Sequence, residues 1–395
     1  MSVDKFTLEN LEELGFDTLE TEDGIKILKY AFWHNDGRVC AVAGDTQKIK
    51  AAVNIKPYEE KIKLKAEINL KTDKIRVLGN YTSIKQISDI DGFWRQVVKG
   101  SPGAEKKADG TYPQILKNGH SKTLHLMVKT YYGLELETFV CGSGTPVLFL
   151  PPFGMTVRIW SHQIMEFSKN HRVIAVNSPG HGLSTTKDSI TLDEVSKAII
   201  GVLEALNTNE RICFIGASYG GMIVQKISVN NPDITASIVL SGSFSRFSPE
   251  FSSLDWQDAL KIFAGLADKD LTRIKGEIDE DRFSWVLAFI HKSMSNVVNV
   301  QSESFGRLIR EDTWENIGSI KAPVLLVTGK KDQFKKRLCL PDEDRQMLLK
   351  IKHASHFELD GAGHFPYLTH WELFNNKVAQ FLDSQSYSNV EGVQK

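Results

Sequence analysis

Residues 211–222 read Arg211-Ile212-Cys213-Phe214-Ile215-Gly216-Ala217-Ser218-Tyr219-Gly220-Gly221-Met222. The apolar run up to Gly216 predicts a buried strand, and the segment after the Gly-x-Ser-x-Gly turn predicts a helix. A serine in such a turn is held in a strained backbone conformation at the helix N-terminus, and bulky flanking residues would collide with the strand and the helix. The stretch therefore predicts a nucleophilic Ser218, beside which Tyr219 offers its backbone N–H to a developing oxyanion.

Apolar segments of strand length alternate with helical patterns on both sides of this turn. Predicted strands cover residues 124–131 and 134–141, which form a hairpin across Tyr132-Gly133, and residues 146–150, 173–176, 236–240, 322–329 and 355–359. Helical patterns cover residues 160–169, 192–206 and 371–382. This alternation predicts an α/β fold in which helices cover both faces of a mostly parallel sheet.

Between residues 244 and 318 the alternation stops and the pattern is helical. The segment carries bulky side chains, among them Phe263, Trp285 and Phe289. An insertion of this length after a strand can cover the carboxyl edge of the sheet, so we predict a helical cap over Ser218 and a largely apolar substrate pocket. The α/β core then comprises residues 121–243 and 319–385.

Residues 1–120 differ from the rest of the chain. Asn35-Asp36-Gly37 is typical of a hairpin turn, and residues 62–70 alternate apolar and polar side chains as a strand does. We predict a small antiparallel, β-rich N-terminal domain followed by a loose linker. At the other end, the polar residues 386–395 are predicted to form a disordered tail.

The N-terminal part contains a lysine-rich segment. Between Lys48 and Arg76 there are nine Lys and Arg residues and four acidic residues. One interpretation is a docking face for an acidic carrier protein that delivers a thioester substrate. The other is a solvated sheet face whose lysines protect an edge strand, which is the usual role of such lysines.

The overall composition is that of an ordinary globular protein, with 395 residues, 41% of them hydrophobic, and a formal net charge of −1. This charge indicates neither nucleic acid nor a membrane as a partner. No apolar run reaches the roughly 18 residues of a membrane span, and the N-terminus lacks the apolar core of a signal peptide. The four cysteines lie far apart without a C-x-x-C pair, which favours thiols and a cytoplasmic location. We expect no metal and no cofactor, since the sequence shows no metal-ligand cluster, phosphate loop or dinucleotide fingerprint.

A serine hydroxyl needs a base, and the base needs a carboxylate that orients it. Asp332 stands three residues after a predicted strand that ends at Gly329, and His364 stands in the loop after the last strand. Because ligands of open α/β sheets bind at the carboxyl edge, we expect these two side chains to converge on Ser218. His353, His356 and His370 compete for the role of base, and Asp342, Glu343 and Asp344 compete for the role of acid; all six stand in less suitable surroundings.

Four motifs occur in the order and spacing of a known family: Gly216-Ala217-Ser218-Tyr219-Gly220-Gly221, Pro179-Gly180-His181-Gly182-Leu183-Ser184, Thr328-Gly329-Lys330-Lys331-Asp332 and Gly363-His364-Phe365-Pro366. From about residue 122 to residue 385 the chain resembles a cap-bearing serine α/β-hydrolase, a group of esterases, thioesterases, C–C bond hydrolases and proline iminopeptidases. The resemblance implies a Ser218-Asp332-His364 triad. A serine nucleophile disfavours the dehalogenase and epoxide-hydrolase reactions of members that use Asp.

The chain departs from many members at the loop after the first central strand. Many carry His-Gly there, where the loop supplies the second N–H of the oxyanion hole, and this chain has Pro151-Pro152. Proline has no N–H, but the donor expected by position is Phe153, which retains its own. We therefore expect an oxyanion hole formed by the backbone N–H groups of Phe153 and Tyr219.

The sequence predicts a hydrolase that forms an acyl-enzyme on Ser218 and acts on a small-molecule carboxylic ester or thioester with an apolar acyl part. Hydrolysis of a C–C bond beside a ketone is an alternative reaction. A non-catalytic binding protein that reuses the fold is a further alternative. The oligomeric state is not predicted.

Overall fold

The computed structural model describes residues 123–187, 189–295 and 307–391, together with five short strands before residue 91. The strands are β1 Phe32–Trp33, β2 Val39–Cys40, β3 Glu67–Asn69, β4 Lys74–Arg76, β5 Ile84–Ile90, β6 Thr123–Lys129, β7 Glu135–Cys141, β8 Pro146–Leu150, β9 Arg172–Val176, β10 Ile212–Ala217, β11 Thr235–Ser241, β12 Val324–Gly329 and β13 Ala354–Leu359. The helices are α1 Ser161–Phe167, α2 Leu192–Ala205, α3 Tyr219–Asn230, α4 Pro249–Ser252, α5 Trp256–Ile274, α6 Glu280–Ser295, α7 Gln333–Leu338, α8 Glu343–Lys350, α9 Pro366–Thr369 and α10 Trp371–Glu391.

Nine of the described strands form one sheet in the order β13-β12-β11-β10-β8-β9-β7-β6-β5. The six strands from β13 to β9 in this order run parallel. The strands β7, β6 and β5 then alternate in direction. The predicted α/β fold with a mostly parallel sheet is therefore confirmed, and the carboxyl ends of β8, β10, β12 and β13 meet at one edge.

The central strands show why their sequences are continuously apolar. Every residue of β8, β10 and β12 is buried. A strand buried along its whole length needs cover on both faces, which is the arrangement of parallel sheets between helix layers. The helix α3 contacts β10 and β11, and α10 contacts β11 and β12. Among the residues that the structure describes, no helix is long and apolar enough to cross a membrane.

The described strands before residue 91 lie in the N-terminal part of the chain. The chain divides into two compact units, Met1–Ile62 and Lys63–Lys395. The strands β1 and β2 pair antiparallel on either side of the predicted hairpin turn, whose own residues lie outside the described part. The strand β5, Ile84–Ile90, pairs with β6 at the edge of the core sheet. The sheet of the core thus includes a strand that lies before residue 121, where the predicted core begins.

The helices α4, α5 and α6 follow β11, where the helical cap was predicted. Residues 296–306 of that insertion lie outside the described part of the chain. The last helix continues beyond Leu382 to Glu391. Polarity alone does not end a helix, and the first strong stop signal after Trp371 is Gly392.

Candidate active site

Ser218 lies at the turn between β10 and α3. Its φ is +50° and its ψ is −117°, a conformation that costs a residue other than glycine on the order of 1–3 kcal/mol. The Ser218 N–H donates to the Ser241 carbonyl at 2.9 Å, which ties the turn to the end of β11. The strained turn therefore holds the serine at the carboxyl edge of the sheet, at the N-terminus of α3.

Two glycines leave the space that this turn requires. A Cβ at Gly216 would overlap the Gly220 carbonyl. A Cβ at Gly220 would lie 2.5 Å from the Leu150 carbonyl oxygen and 2.6 Å from that of Pro151, and real Cβ atoms essentially never come that close. The close approach at Gly220 brings the loop after β8 against the start of α3, beside Ser218.

Asp332 and His364 form a buried pair at the same edge of the sheet. The His364 Nδ1 lies 2.8 Å from the Asp332 Oδ2, and the two side chains are 2% and 4% exposed. The other oxygen, Oδ1, accepts the Lys335 N–H at 2.9 Å, so that Asp332 also caps the helix α7. Because Asp332 is held by this cap, its Oδ2 has a fixed position from which it orients the imidazole.

His364 also lies beside the serine turn. A Cβ at Gly242, the residue after β11, would lie 3.1 Å from the His364 Nδ1. The Ser218 N–H is hydrogen-bonded to the carbonyl of Ser241, the residue before Gly242. The imidazole and the serine turn therefore both lie at the end of β11. The Phe334 ring stacks on the imidazole with a centroid distance of 4.2 Å and further limits its orientation.

Four of the six competing residues have other partners. His356 bonds the Thr328 hydroxyl, and His370 bonds that of Thr369. Glu343 accepts the N–H and hydroxyl of Ser245. Asp344 pairs with Lys335. Among the candidates that the sequence offered, the structure brings Asp332 and His364 together.

The loop after β8 contains the residues expected to complete an oxyanion hole. Pro152 accepts the Met155 N–H at 3.3 Å, so residues 152–155 form a tight turn that contains Phe153. Gly154 in this turn has φ +78° and donates its N–H to the His181 Nε2 at 2.9 Å. The turn therefore depends on His181, which the sequence offered only as part of the Pro-Gly-His-Gly motif.

His181 serves this turn as a neutral imidazole. Burial lowers its pKa, although hydrogen bonds to the backbone at Pro179 and Ser178 oppose the effect. Since Nε2 accepts a hydrogen bond from Gly154, the ring proton is on Nδ1, which donates to the Pro179 carbonyl at 3.0 Å. Only a neutral ring with the proton on Nδ1 can accept the Gly154 N–H and donate to the Pro179 carbonyl at the same time.

A buried carboxylate stabilises the loop that carries His181. The Glu137 Oε2 accepts from the Asn177 side chain at 2.6 Å and from the Leu183 N–H at 2.8 Å, while Oε1 lies 2.7 Å from the His125 Nε2. Burial would raise the pKa of Glu137, but these hydrogen bonds outweigh it and hold the pKa below its usual value. Asn177 in turn accepts the Val157 N–H at 2.7 Å, which links the loop to the 3-10 turn Val157–Trp160 that precedes α1.

Aromatic side chains cover the site from the cap side. Phe153 packs edge-on against Phe263 of α5 at 5.6 Å between ring centroids and against Tyr219 at 6.1 Å. Phe263 also packs against Phe334, the ring that stacks on His364. These four aromatic residues are at most 9% exposed. The surroundings of Ser218 on this side are therefore apolar.

A second carboxylate, which the sequence analysis missed, reaches the site from the cap. Asp270 of α5 accepts the His364 N–H through Oδ2 and the Gln333 N–H through Oδ1, each at 2.7 Å. Burial and the negative charge of Asp332 raise its pKa to about 6, against the opposing charge of His364 and the two amide hydrogen bonds. Asp270 lies on the buried, apolar face of α5, which also carries Phe263, Leu266, Ala267, Leu271 and Ile274. A charge on an apolar helix face is the signal that could have identified it.

The arrangement suits acyl transfer through a serine nucleophile. Within the described residues, no group of three or more His, Cys, Asp or Glu side chains could hold a metal ion. The chain does contain a buried carboxylate–imidazole pair beside a strained serine at a helix N-terminus, which is what general-base activation of a hydroxyl requires.

Comparisons with known proteins agree with this chemistry. The model of the alpha/beta hydrolase family matches residues 147–377. The polyketide synthase ThaQ of Burkholderia thailandensis is 26% identical over 302 residues, which are 73% of this chain and 14% of ThaQ. The (E)-2-((N-methylformamido)methylene)succinate hydrolase of Acinetobacter baylyi is 27% identical over 62% of this chain and 93% of that enzyme. The pimeloyl-[acyl-carrier protein] methyl ester esterase of Vibrio cholerae is 22% identical over 61% of this chain and 96% of that enzyme. This chain thus spans a small part of the first relative and nearly all of the other two.

Proposed function

Because the chain belongs to the alpha/beta hydrolase family, we propose that it is a serine hydrolase that cleaves a carboxylic ester or thioester with a small-to-medium apolar acyl group. The observation that supports the proposal is the position of the strained Ser218 and of the buried 2.8 Å Asp332–His364 pair after strands that end at the same edge of the sheet. The apolar aromatic cover contributed by Phe153, Phe263 and Tyr219 favours an apolar acyl part.

In the first half of the reaction, His364 takes the hydroxyl proton of Ser218 while the Oγ bonds the substrate carbonyl carbon. Asp332 holds the proton on Nδ1, so that Nε2 is free to act as the base, and it stabilises the imidazolium that forms. The backbone N–H groups of Tyr219 and Phe153 bind the oxyanion. His364 then gives its proton to the leaving alcohol or thiol, and an acyl-enzyme remains.

In the second half, water replaces the alcohol or thiol. His364 removes a proton from the water as its oxygen bonds the acyl carbon, and the same pair of N–H groups binds the second oxyanion. The Ser218 Oγ leaves with the proton that His364 returns. The products are a carboxylic acid and the free serine.

Labelling with a fluorophosphonate probe tests the proposal directly. We expect one covalent adduct, located on Ser218 by mass spectrometry of digested protein, because an activated serine attacks this phosphorus centre. The Ser218→Ala variant should take up none, and His364→Ala should react far more slowly. A folded wild-type protein that remains unlabelled would contradict the proposal and favour a non-catalytic binding role. A labelled protein that cleaves diketones in preference to esters and thioesters would favour C–C hydrolysis.

We further propose that the acyl group is presented on an acidic carrier protein. The relative from Vibrio cholerae is named for an acyl-carrier-protein ester, and the segment from Lys48 to Arg76 is strongly basic. Hydrolysis of one acyl thioester should then have a KM at least about tenfold lower on a carrier protein than on a short pantetheine mimic. Raising the salt concentration should remove this difference, since the attraction is electrostatic. Equal KM values for both donors at low salt would exclude the docking role.

A cytoplasmic location is part of the proposal. Cys213 and Cys339 are buried free thiols, as is usual in a reducing compartment. Burial raises the pKa of Cys213 to about 12, so this thiol is inert as a nucleophile.

A further inference from the structure

Asp270 contacts both of the loops that carry the candidate acid and base. It belongs to the helix α5, is fully buried, and accepts one backbone N–H with each carboxylate oxygen. The Oδ1 bonds the N–H of Gln333, the residue that follows Asp332. The Oδ2 bonds the N–H of His364 itself. One side chain of the cap thus fixes the backbone of both loops that carry the candidate acid and base.

The core leaves room for this carboxylate. A Cβ at Gly363 would overlap the Asp270 Oδ2, so glycine is required beside His364 for the cap contact to form. The Gly-His-Phe-Pro motif therefore has a second use in this chain besides placing the imidazole. The contact therefore requires two particular residues, Asp270 on the cap and Gly363 on the core.

We propose that Asp270 is a positioning residue that holds His364 and Asp332 in their productive arrangement and makes this arrangement depend on the seating of the cap helix. The inference rests on the function proposed above, since it assigns a role within that triad. Asp270 touches the backbone of the triad loops and not the reacting atoms, so it acts through His364 and Asp332.

The charge of Asp270 depends on pH because of the groups that surround it. The titratable groups that face it are Asp332 after β12, His364 after β13 and the Tyr367 phenol of α9. Burial and the Asp332 charge raise its pKa to about 6, so at pH 7 it is mostly ionised and accepts both N–H groups. Below that pH the protonated form has a donor O–H in place of one acceptor, and its hold on one of the loops weakens.

The raised pKa also sets the sign of the stability effect. A carboxyl whose pKa rises on folding contributes stability that is fully present below its unfolded-state pKa and is lost as the pH rises through its folded-state pKa, here about 6. Acid therefore stabilises the fold through Asp270 while it weakens the triad.

The chain offers a matched control at another contact between cap and core. Arg282 of α6 pairs with Glu372 of α10 at 2.6 Å, away from the loops of Asp332 and His364. Glu372→Gln removes a charged cap contact without touching those loops. Asp270→Asn removes a charge and one acceptor at nearly constant volume.

The experiment measures kcat and KM of the full chain on a p-nitrophenyl ester between pH 5 and pH 9, with thermal unfolding of each variant. For Asp270→Asn we expect kcat to fall about 10²-fold, because a small misplacement of reacting groups has effects of this size, while KM changes less than about threefold. The acid limb of the kcat/KM profile should move to lower pH by roughly one unit, since a negative charge that favours proton uptake is gone. The difference in thermal unfolding midpoint, wild type minus Asp270→Asn, should increase as the pH is lowered from 7 to 5. Glu372→Gln should keep the wild-type kcat and pH profile.

An Asp270→Asn variant with wild-type kcat and acid limb would overturn the positioning role. So would a loss of kcat that Glu372→Gln reproduces, because cap attachment alone would then account for it. If Asp270→Asn does not fold, Gly363→Ala provides the same test, since its Cβ would displace the carboxylate from the His364 N–H. A wild-type chain that neither hydrolyses the ester nor reacts with the fluorophosphonate overturns the proposed function itself, and the positioning role with it.

Discussion

Replacing Asp332 by Asn is expected to lower kcat by about 10⁴-fold, as the loss of the orienting carboxylate does in serine triads. The Oδ2 of Asp332 lies 2.8 Å from the His364 Nδ1, and Oδ1 accepts the Lys335 N–H. An asparagine can keep its oxygen on the helix cap and present its NH₂ group to the imidazole. The imidazole then adopts the other tautomer, with its proton on the nitrogen that should act as the base.

Steady-state kinetics on an activated ester, together with unfolding by urea, measure this prediction. Because the helix cap at Lys335 survives, the free energy of unfolding should change by no more than about 1–2 kcal/mol. Asp344→Asn is the control: this nearby acid pairs with the largely buried Lys335 side chain and not with the imidazole, so kcat should stay within about twofold of the wild type. Retention of wild-type kcat in Asp332→Asn would remove Asp332 from the triad.

Replacing Gly220 by Val is expected to lower the free energy of unfolding by more than about 3 kcal/mol and to leave little soluble protein. The Cβ would lie 2.5 Å and 2.6 Å from the carbonyl oxygens of Leu150 and Pro151. These are backbone atoms of a buried strand end, which cannot turn aside as a flexible side chain does. Relief would require α3 to move away from β8, and the serine turn would move with it.

Urea unfolding, with Gly265→Ala as the control, tests this second prediction. Gly265 lies in the helix α5, and a Cβ there has no atom within 4 Å. Its replacement by alanine should stabilise the protein by about 0.5–1 kcal/mol, because a helical glycine is entropically costly. Equal stability of the Gly220 and Gly265 variants would show that the close approach at Gly220 is not needed.

Much of the arrangement of the site could be predicted from local sequence. Ser218, Asp332 and His364 each follow a short apolar run, and parallel strands bring their carboxyl ends to one edge whatever the chain length between them. The separation of 114 residues between Ser218 and Asp332 (332 − 218) therefore did not obscure their relation. The turn at Ser218 was also predictable, because only glycine fits at such contacts.

The parts that could not be predicted depend on tertiary context. The strand β5 reads Ile-Lys-Gln-Ile-Ser-Asp-Ile, with an apolar residue at every third position in place of every second. Its pairing with β6 is irregular between Gln86 and Ser88, so a bulge at Ile87 breaks the period that identifies strands. Asp270 could be located on the apolar face of its helix, but which backbone N–H groups it meets is decided by the docking of the cap. The role of His181 likewise depends on a turn 27 residues away in the chain.

The contact between Asp270 and the His364 N–H limits how this enzyme can be rebuilt or diversify. A cap insertion is one continuous segment of chain, so exchanging it between related enzymes is an obvious way to change substrate preference. Such an exchange assumes that the cap does not affect the catalytic residues. Here the transplanted segment would have to bring its own carboxylate to the same place, opposite a glycine at residue 363. A chimera with a foreign cap that lacks this acid should fold and bind its new substrate, yet turn it over slowly until the acid is restored.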